Sequence, residues 1–213
     1  MPDNPPNRRP LASRDTGWAR RLSVRLAATP VTPNQISMAG MVAALISGLC
    51  FWAVGYADGF GRALLLILAA GMCQIRLLCN LLDGMVAIEA GRGAPDGGFW
   101  NEFPDRISDA LILVGVGLGL GAAALGWAAV SFAFLTAYLR ELGSGLGQPA
   151  DFSGPMAKPH RMALITGAAL LAIPEPSWGG DGGVLRIALW IIVLGAALTV
   201  LRRSDRLVAS LRR

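Results

Sequence analysis

The feature that most restricts this chain is a series of apolar runs, near Gln35 to Ala57, Arg62 to Leu82, Asp109 to Gly126, Trp127 to Tyr138, Met162 to Ile173 and Leu185 to Leu201. A stretch of about 20 apolar residues crosses a bilayer as a helix, because hydrocarbon offers no partner to a backbone N–H or C=O. Hydrophobic residues make up 54% of the chain and charged residues 15%, which excludes an ordinary soluble domain. The expected fold is therefore an all-α polytopic membrane protein with six transmembrane helices. The fourth and fifth runs are short, and they lengthen only by drawing Arg140 and Lys158 into the protein interior, where such flanks line a wet cavity.

Basic residues orient these spans. Arg8, Arg9, Arg14, Arg20, Arg21 and Arg25 precede the first run, and Arg202, Arg203, Arg206, Arg212 and Arg213 follow the last. Both termini are expected on the cytoplasmic side of a plasma (inner) membrane. The connections on that same side carry Arg92, Arg106, Arg140, Lys158, His160 and Arg161, whereas the opposite ones carry only Arg62 and Arg186 as cations. Residues 1–14 are Pro-rich and basic, have no signal-peptide pattern and read as disordered. Over residues 15–31, Trp18, Leu22 and Leu26 recur every four positions with arginines on the other faces, and Asp15 stands as an N-cap. That pattern predicts an amphipathic interfacial helix on the cytoplasmic leaflet, anchored by membrane lipids. Residues 32–213 form the membrane domain. Cys50, Cys73 and Cys79 lie in apolar runs without metal or disulfide spacing and read as packing residues.

Between the second and third runs the sequence turns polar and glycine-rich. Arg76, Asn80, Asp83 and Ala87 share one face of the second helix at its cytoplasmic end, and Asn101, Asp105 and Asp109 repeat that spacing at the start of the third. Gly91, Gly93, Pro95, Gly97 and Gly98 form the reversal between them. Two polar stripes facing each other near the membrane offer oxygen ligands to a hard dication, Mg2+ or Mn2+, together with substrate phosphates. Gly84 and Gly97 leave room for a nucleoside or phosphate to approach the backbone. The bland reading is that Asp83 and Asp105 are helix-end carboxylates paired with Arg76 and Arg106.

These residues resemble the CDP-alcohol phosphatidyltransferase signature, D-x2-D-G-x2-A-R-x8-G-x3-D-x3-D. Asn80 stands at the first Asp, Asp83 and Gly84 at the D-G pair, Ala87 at Ala, Ile88 at Arg, Gly97 at Gly, Asn101 at the third Asp and Asp105 at the fourth. Thr32 to Ser37 looks like the family's segment before the first span, and Arg140-Glu141-Leu142 ends the fourth span as in many members. The resemblance implies transfer of a phosphatidyl or related phosphoryl group from a CDP-linked lipid, such as CDP-diacylglycerol, to an alcohol, with release of CMP. It implies Asp105 as the base, Asp83, Asp105, Asn80 and Asn101 as metal ligands, and Asn34, Asp83, Gly84, Ala87 and Gly97 around the CDP group. The two amides bring no charge, and each lost carboxylate removes an attraction of about 4 kcal/mol at 4 Å and an effective dielectric of 20. A weak or single-metal site is therefore expected.

Arg140, Lys158 and Arg161 form a second cationic cluster, suited to the phosphate of a phosphorylated acceptor such as glycerol 3-phosphate or inositol phosphate. Positive-inside topology alone is the competing explanation for Lys158 and Arg161. His160 is too isolated to be a ligand. Two other readings remain at this stage: a noncatalytic CDP-lipid-binding relative, and a small transporter, although the latter lacks an inverted repeat. Nucleic acid is not an expected partner. A homodimer through the small residues of Gly115 to Gly121 is possible, and so is packing of that stripe within one chain.

Overall fold

The computed structural model describes residues 17–91 and 95–212. Seven α-helices follow one another among them: α1 (Gly17–Ala27), α2 (Pro33–Val54), α3 (Gly59–Glu89), α4 (Gly97–Gly119), α5 (Ala123–Gly145), α6 (Lys158–Leu171) and α7 (Gly183–Leu211), with a 3-10 turn at Glu175–Trp178. Residues 1–14, for which disorder is expected, Asp15, expected as an N-cap, and Arg92 and Gly93 lie outside the described residues.

Helices α2 to α7 stand where six spans are expected, and α2, α3, α5 and α7 are long and apolar enough to cross a membrane. The other two are not. Helix α4 carries Glu102, Asp105 and Arg106 in its first half and Asp109 just past its midpoint. Helix α6 has 14 residues, about 21 Å at 1.5 Å per residue.

Helix α2 starts where its sequence can satisfy its first donors. Thr32 Oγ1 accepts from Gln35 N at 3.2 Å, the Gln35 side chain accepts from Thr32 N at 3.0 Å, and Pro33 takes the first turn, where a missing N–H costs nothing.

The break between α4 and α5 falls at residues 120–122, not between Gly126 and Trp127 as the apolar runs predict. Gly121 adopts φ +61°, and Ala122 N returns to the Gly117 carbonyl at 2.8 Å, closing α4 with a left-handed glycine turn. Gly126 has the opposite use: a methyl there would collide with the Leu113 carbonyl and Gly117 Cα, so it lets α5 approach α4.

Small residues do the same between α2 and α4. A methyl on Gly48 would strike the Leu111 carbonyl, one on Gly115 the Gly48 carbonyl, and one on Gly119 the Phe51 carbonyl. The two backbones therefore touch along a seam of glycines. Gly115, Gly117 and Gly119 are engaged inside the chain, so this stripe no longer argues for a dimer. Around the seam, Phe51, Leu66, Cys73, Ile112, Met162, Ile165 and Leu189 are buried in the common core.

Helix α1 departs partly from a purely lipid-facing helix. Leu22 and Leu26 pack on Ile36 of α2 and Leu82 and Val86 of α3, whereas Trp18 stays 53% exposed. Its apolar face is thus divided between protein and surroundings.

Candidate active site

The cytoplasmic ends of α2, α3 and α4, as oriented from the sequence, meet the start of α6 in a dense cluster of charge. Arg76, Asn80 and Asp83 come from consecutive turns of α3, Asp105, Ser108 and Asp109 from α4, Ser37 from α2, and Lys158 and Arg161 from α6. Arg76, Asp83, Asp105, Asp109 and Arg161 are all buried.

Each carboxylate is held differently. Asp83 accepts from Ser37 Oγ at 2.7 Å and from Gly84 N at 2.6 Å, and no cation among the described residues forms an ion pair with it. Asp105 accepts from Arg76 Nη2 at 3.1 Å and Asn80 Nδ2 at 3.0 Å on one oxygen, and pairs with Lys158 on the other. Asp109 lies deeper, 3.5 Å from Arg76 and 2.6 Å from Arg161 Nη2. Arg161 also donates to the Met156 carbonyl at 3.1 Å. The bland pairing holds for Arg76 with Asp105, but Arg106 turns to Glu102, at 3.0 Å.

Ser37, Asn80, Asp83, Asp105 and Arg76 line a cavity of about 10 Å³, about the room one water or one small ion needs. Arg76 Nη1, Asp109 Oδ1 and Arg161 Nε are buried without a hydrogen-bond partner. Native interiors rarely leave such groups unsatisfied, and where they do a binding or catalytic use is a usual reason.

The four residues expected to hold metal do not all converge. Asn80, Asp83 and Asp105 share the cavity wall, but Asn101 is exposed on the first turns of α4 and its amide reaches Glu102 Oε1 at 3.4 Å. Helical spacing assigns Asn101 to the right face but not to the buried depth, because α4 begins outside the packed bundle. The Asn80 oxygen faces Lys158 Nζ at 2.6 Å. Among the described residues no group of three or more His, Cys, Asp and Glu side chains is gathered as a metal site. The carboxylates on the cavity wall that could hold a dication are Asp83 and Asp105, two where the signature has four.

The residues expected around CDP are partly gathered. Ala87 is on α3 one turn beyond Asp83 and Gly84. Asn34 donates to Asp96 Oδ2 at 3.4 Å, and Asp96 also accepts from Trp100 Nε1 at 2.9 Å. A methyl on Gly97 would meet nothing within 4 Å, and its φ is not positive, so neither packing nor backbone geometry demands glycine there.

The three acceptor candidates separate. Arg161 is 1% exposed and engaged by Asp109, so it is an internal counter-ion and not an open phosphate ligand. Lys158 points into the Asn80–Asp105 pair. Arg140 alone lies at the rim: it pairs with Glu102, donates to Glu141 at 2.8 Å and stacks 5.4 Å from the Phe152 ring centroid. Ser37 and Ser108 are buried residues of the cavity wall that sequence reasoning missed, although the place of Ser37 one turn after Pro33 on the capped α2 was readable.

No protein-family model matches the chain. Individual relatives do. The chain is 25% identical over 186 residues to the phosphatidylinositol phosphate synthase of Mycolicibacterium smegmatis, covering 81% of this chain and 76% of that one. It is 30% identical over 170 residues to the inner membrane protein YnbA of Escherichia coli, covering 79% and 81%. The chain belongs to the CDP-alcohol phosphatidyltransferase family. This phosphatidyltransferase is thus a membrane-integral transferase of EC 2.7.8 type, which speaks against the transporter reading. Its fold agrees with the solved phosphatidylinositol phosphate synthase of Mycobacterium tuberculosis with CDP-DAG bound, at a TM-score of 0.73 and 18% identity over 90% of this chain and 94% of that one. The same enzyme in complex with manganese and citrate also aligns at a TM-score of 0.73, with 18% identity over 89% of this chain and 88% of that one.

Proposed function

We propose that this phosphatidyltransferase moves a phosphatidyl or related phosphoryl group from a CDP-linked lipid, CDP-diacylglycerol being the first candidate, to the hydroxyl of a phosphorylated alcohol, releasing CMP. The observation that carries the proposal is the pairing of Asp83 on α3 with Asp105 on α4 across one ion-sized cavity, at the D-G and final Asp positions of the signature. Asp105 takes the proton from the acceptor hydroxyl as its oxygen attacks the lipid-linked phosphorus, and the bond to the CMP oxygen breaks. Asp83 is kept in orientation by Ser37 and the Gly84 N–H, so it does not depend on substrate for its position. A Mg2+ or Mn2+ held by Asp83 and Asp105 would neutralise the pyrophosphate and stabilise the departing oxygen. Gly97 leaves space for the CDP group, with Asn34 close to the start of the same helix through Asp96.

Acceptor choice is assigned to Arg140, the one rim cation of its cluster. The phosphatidylinositol phosphate synthases among the relatives support inositol phosphate, and Arg140-Glu141-Leu142 supports glycerol 3-phosphate. The working site faces the cytoplasm of a plasma membrane, with both termini on that side.

The test is CMP release from CDP-diacylglycerol by the purified protein with Mg2+ or Mn2+, over glycerol 3-phosphate, inositol phosphate and their uncharged parents, beside Asp105→Ala. Release that depends on one phosphorylated acceptor and on Asp105 is expected. Equal release from both proteins would remove Asp105 as the base, and no release with any acceptor would remove the proposed transfer.

A further inference from the structure

Arginine supplies nearly every cation in this chain. Of its 19 basic residues, Lys158 is the single lysine. It opens α6, with Pro159 in the first turn behind it and buried Ala157 before it. Its ammonium lies between Asn80 Oδ1, at 2.6 Å, and Asp105 Oδ2. An ammonium is a compact point charge, whereas a guanidinium is a flat fork needing acceptors spread in a plane. The exception in composition therefore coincides with the one place where a small, nearly spherical cation sits among oxygens.

Asn80 is the matching half of the arrangement. Its Nδ2 donates to Asp105 Oδ1 at 3.0 Å while its Oδ1 accepts from Lys158. An aspartate at 80 has no donor for Asp105. It would set two carboxylates in contact, an arrangement that a bridging dication relieves and that a monovalent ammonium relieves only partly. An asparagine beside a lysine is thus self-consistent without metal, and an aspartate beside a second metal is the alternative solution of the same geometry.

The charge count agrees. Asp83, Asp105 and Asp109 face Arg76, Lys158 and Arg161, so the buried cluster is neutral without any metal. One dication in the Asp83–Asp105 cavity leaves an excess that a substrate pyrophosphate neutralises. A second would put four positive charges into the same buried volume, where uncompensated charge is strongly unfavourable.

We propose that Lys158 is a resident cation standing where a second dication would bind, and that Asn80 is its tuned partner, so that the site takes one divalent metal per chain. This rests on the single-metal transferase reading above. It assigns Lys158 to the donor-lipid side of the site, as a positioning residue for Asp105, and not to the acceptor phosphate.

Counting metal tests it without any turnover. In the detergent-purified full chain, Mn2+ titrated and followed by electron paramagnetic resonance of the free ion should saturate at one per chain, and Asn80→Asp with Lys158→Ala together should saturate at two. Lysine acylation read by mass spectrometry gives a second measurement on the unmodified protein: Mn2+ should leave the labelling of Lys158 unchanged. Two Mn2+ or none per wild-type chain, a double variant that still binds one, or Lys158 becoming several-fold more reactive when Mn2+ binds, overturns the assignment. Whether CMP is released is read separately, so a one-metal chain that fails to transfer leaves this inference standing and removes the transferase reading instead.

Discussion

Helix α3 buries two arginines beside carboxylates, Arg62 near its start and Arg76 about 21 Å further along at 1.5 Å per residue, and the two are treated differently. Arg62 donates to the Ala172 carbonyl at 2.6 Å and to Glu175 Oε2 at 3.3 Å, while Glu175 Oε1 accepts from Val184 N at 3.0 Å. That pair ties α3 to the turn after α6 and to the start of α7, and both of its carboxylate oxygens are satisfied. Further along α3 the cluster around Asp105 surrounds a cavity, and three of its buried polar atoms lack hydrogen-bond partners. Similar chemistry serves as a fastening where the bonds close on themselves, and as a candidate site where they remain incomplete.

This contrast can be broken by substitution. The largest effect is expected for Asp105→Asn, which should lower CMP release by about 10²- to 10⁴-fold while the protein still elutes as a folded species. At the Arg62 pair, Glu175→Gln should do the reverse. It leaves the buried Arg62 charge unpaired and should cost roughly 3–5 kcal/mol of stability, seen as a lower melting temperature with the KM of either substrate unchanged. A large loss of kcat there, at full stability, would erase the distinction between the two arginine sites. Gly48→Ala should cost about 1–3 kcal/mol by forcing α2 from the Leu111 carbonyl, measured in the same melts. Arg140→Ala should raise the KM of a phosphorylated acceptor roughly tenfold and leave that of the CDP-lipid unaltered. The smallest effect is expected at Asn101→Ala. This residue is exposed and outside the cavity, so activity and stability should change by no more than about twofold or 0.5 kcal/mol. A Mn2+ requirement shifted by orders of magnitude would restore Asn101 as a ligand.

Much of this was legible in the chain. Apolar runs locate helices α2 to α7, and helical spacing alone brings Asn80, Asp83 and Asp105 to facing surfaces. What stayed hidden depends on depth and partners. Periodicity gives the face on which Asn101 lies but not that its turn emerges from the bundle. Counting cations places Arg140, Lys158 and Arg161 on one membrane side, yet it cannot tell that Arg161 is neutralised by Asp109 or that Lys158 reaches Asn80. Glycine is ambiguous for a related reason. Gly121 ends a helix by its left-handed φ, whereas Gly126 and Gly115 are small so that a neighbouring backbone can come close, and the letter is the same in each case.

The glycine seam of α2 and α4 sets a rule of phase. Asp105 and Asp109 belong to the same unbroken helix as Gly115 and Gly119, and one inserted or deleted residue between them would rotate one set against the other by about 100°. The carboxylates would then turn from Asn80 and Arg76, or a bulkier residue would be driven into the α2 backbone. Sequence change between Asp109 and Gly115 is therefore confined to substitution, and length there is as tightly prescribed as the acidic residues themselves.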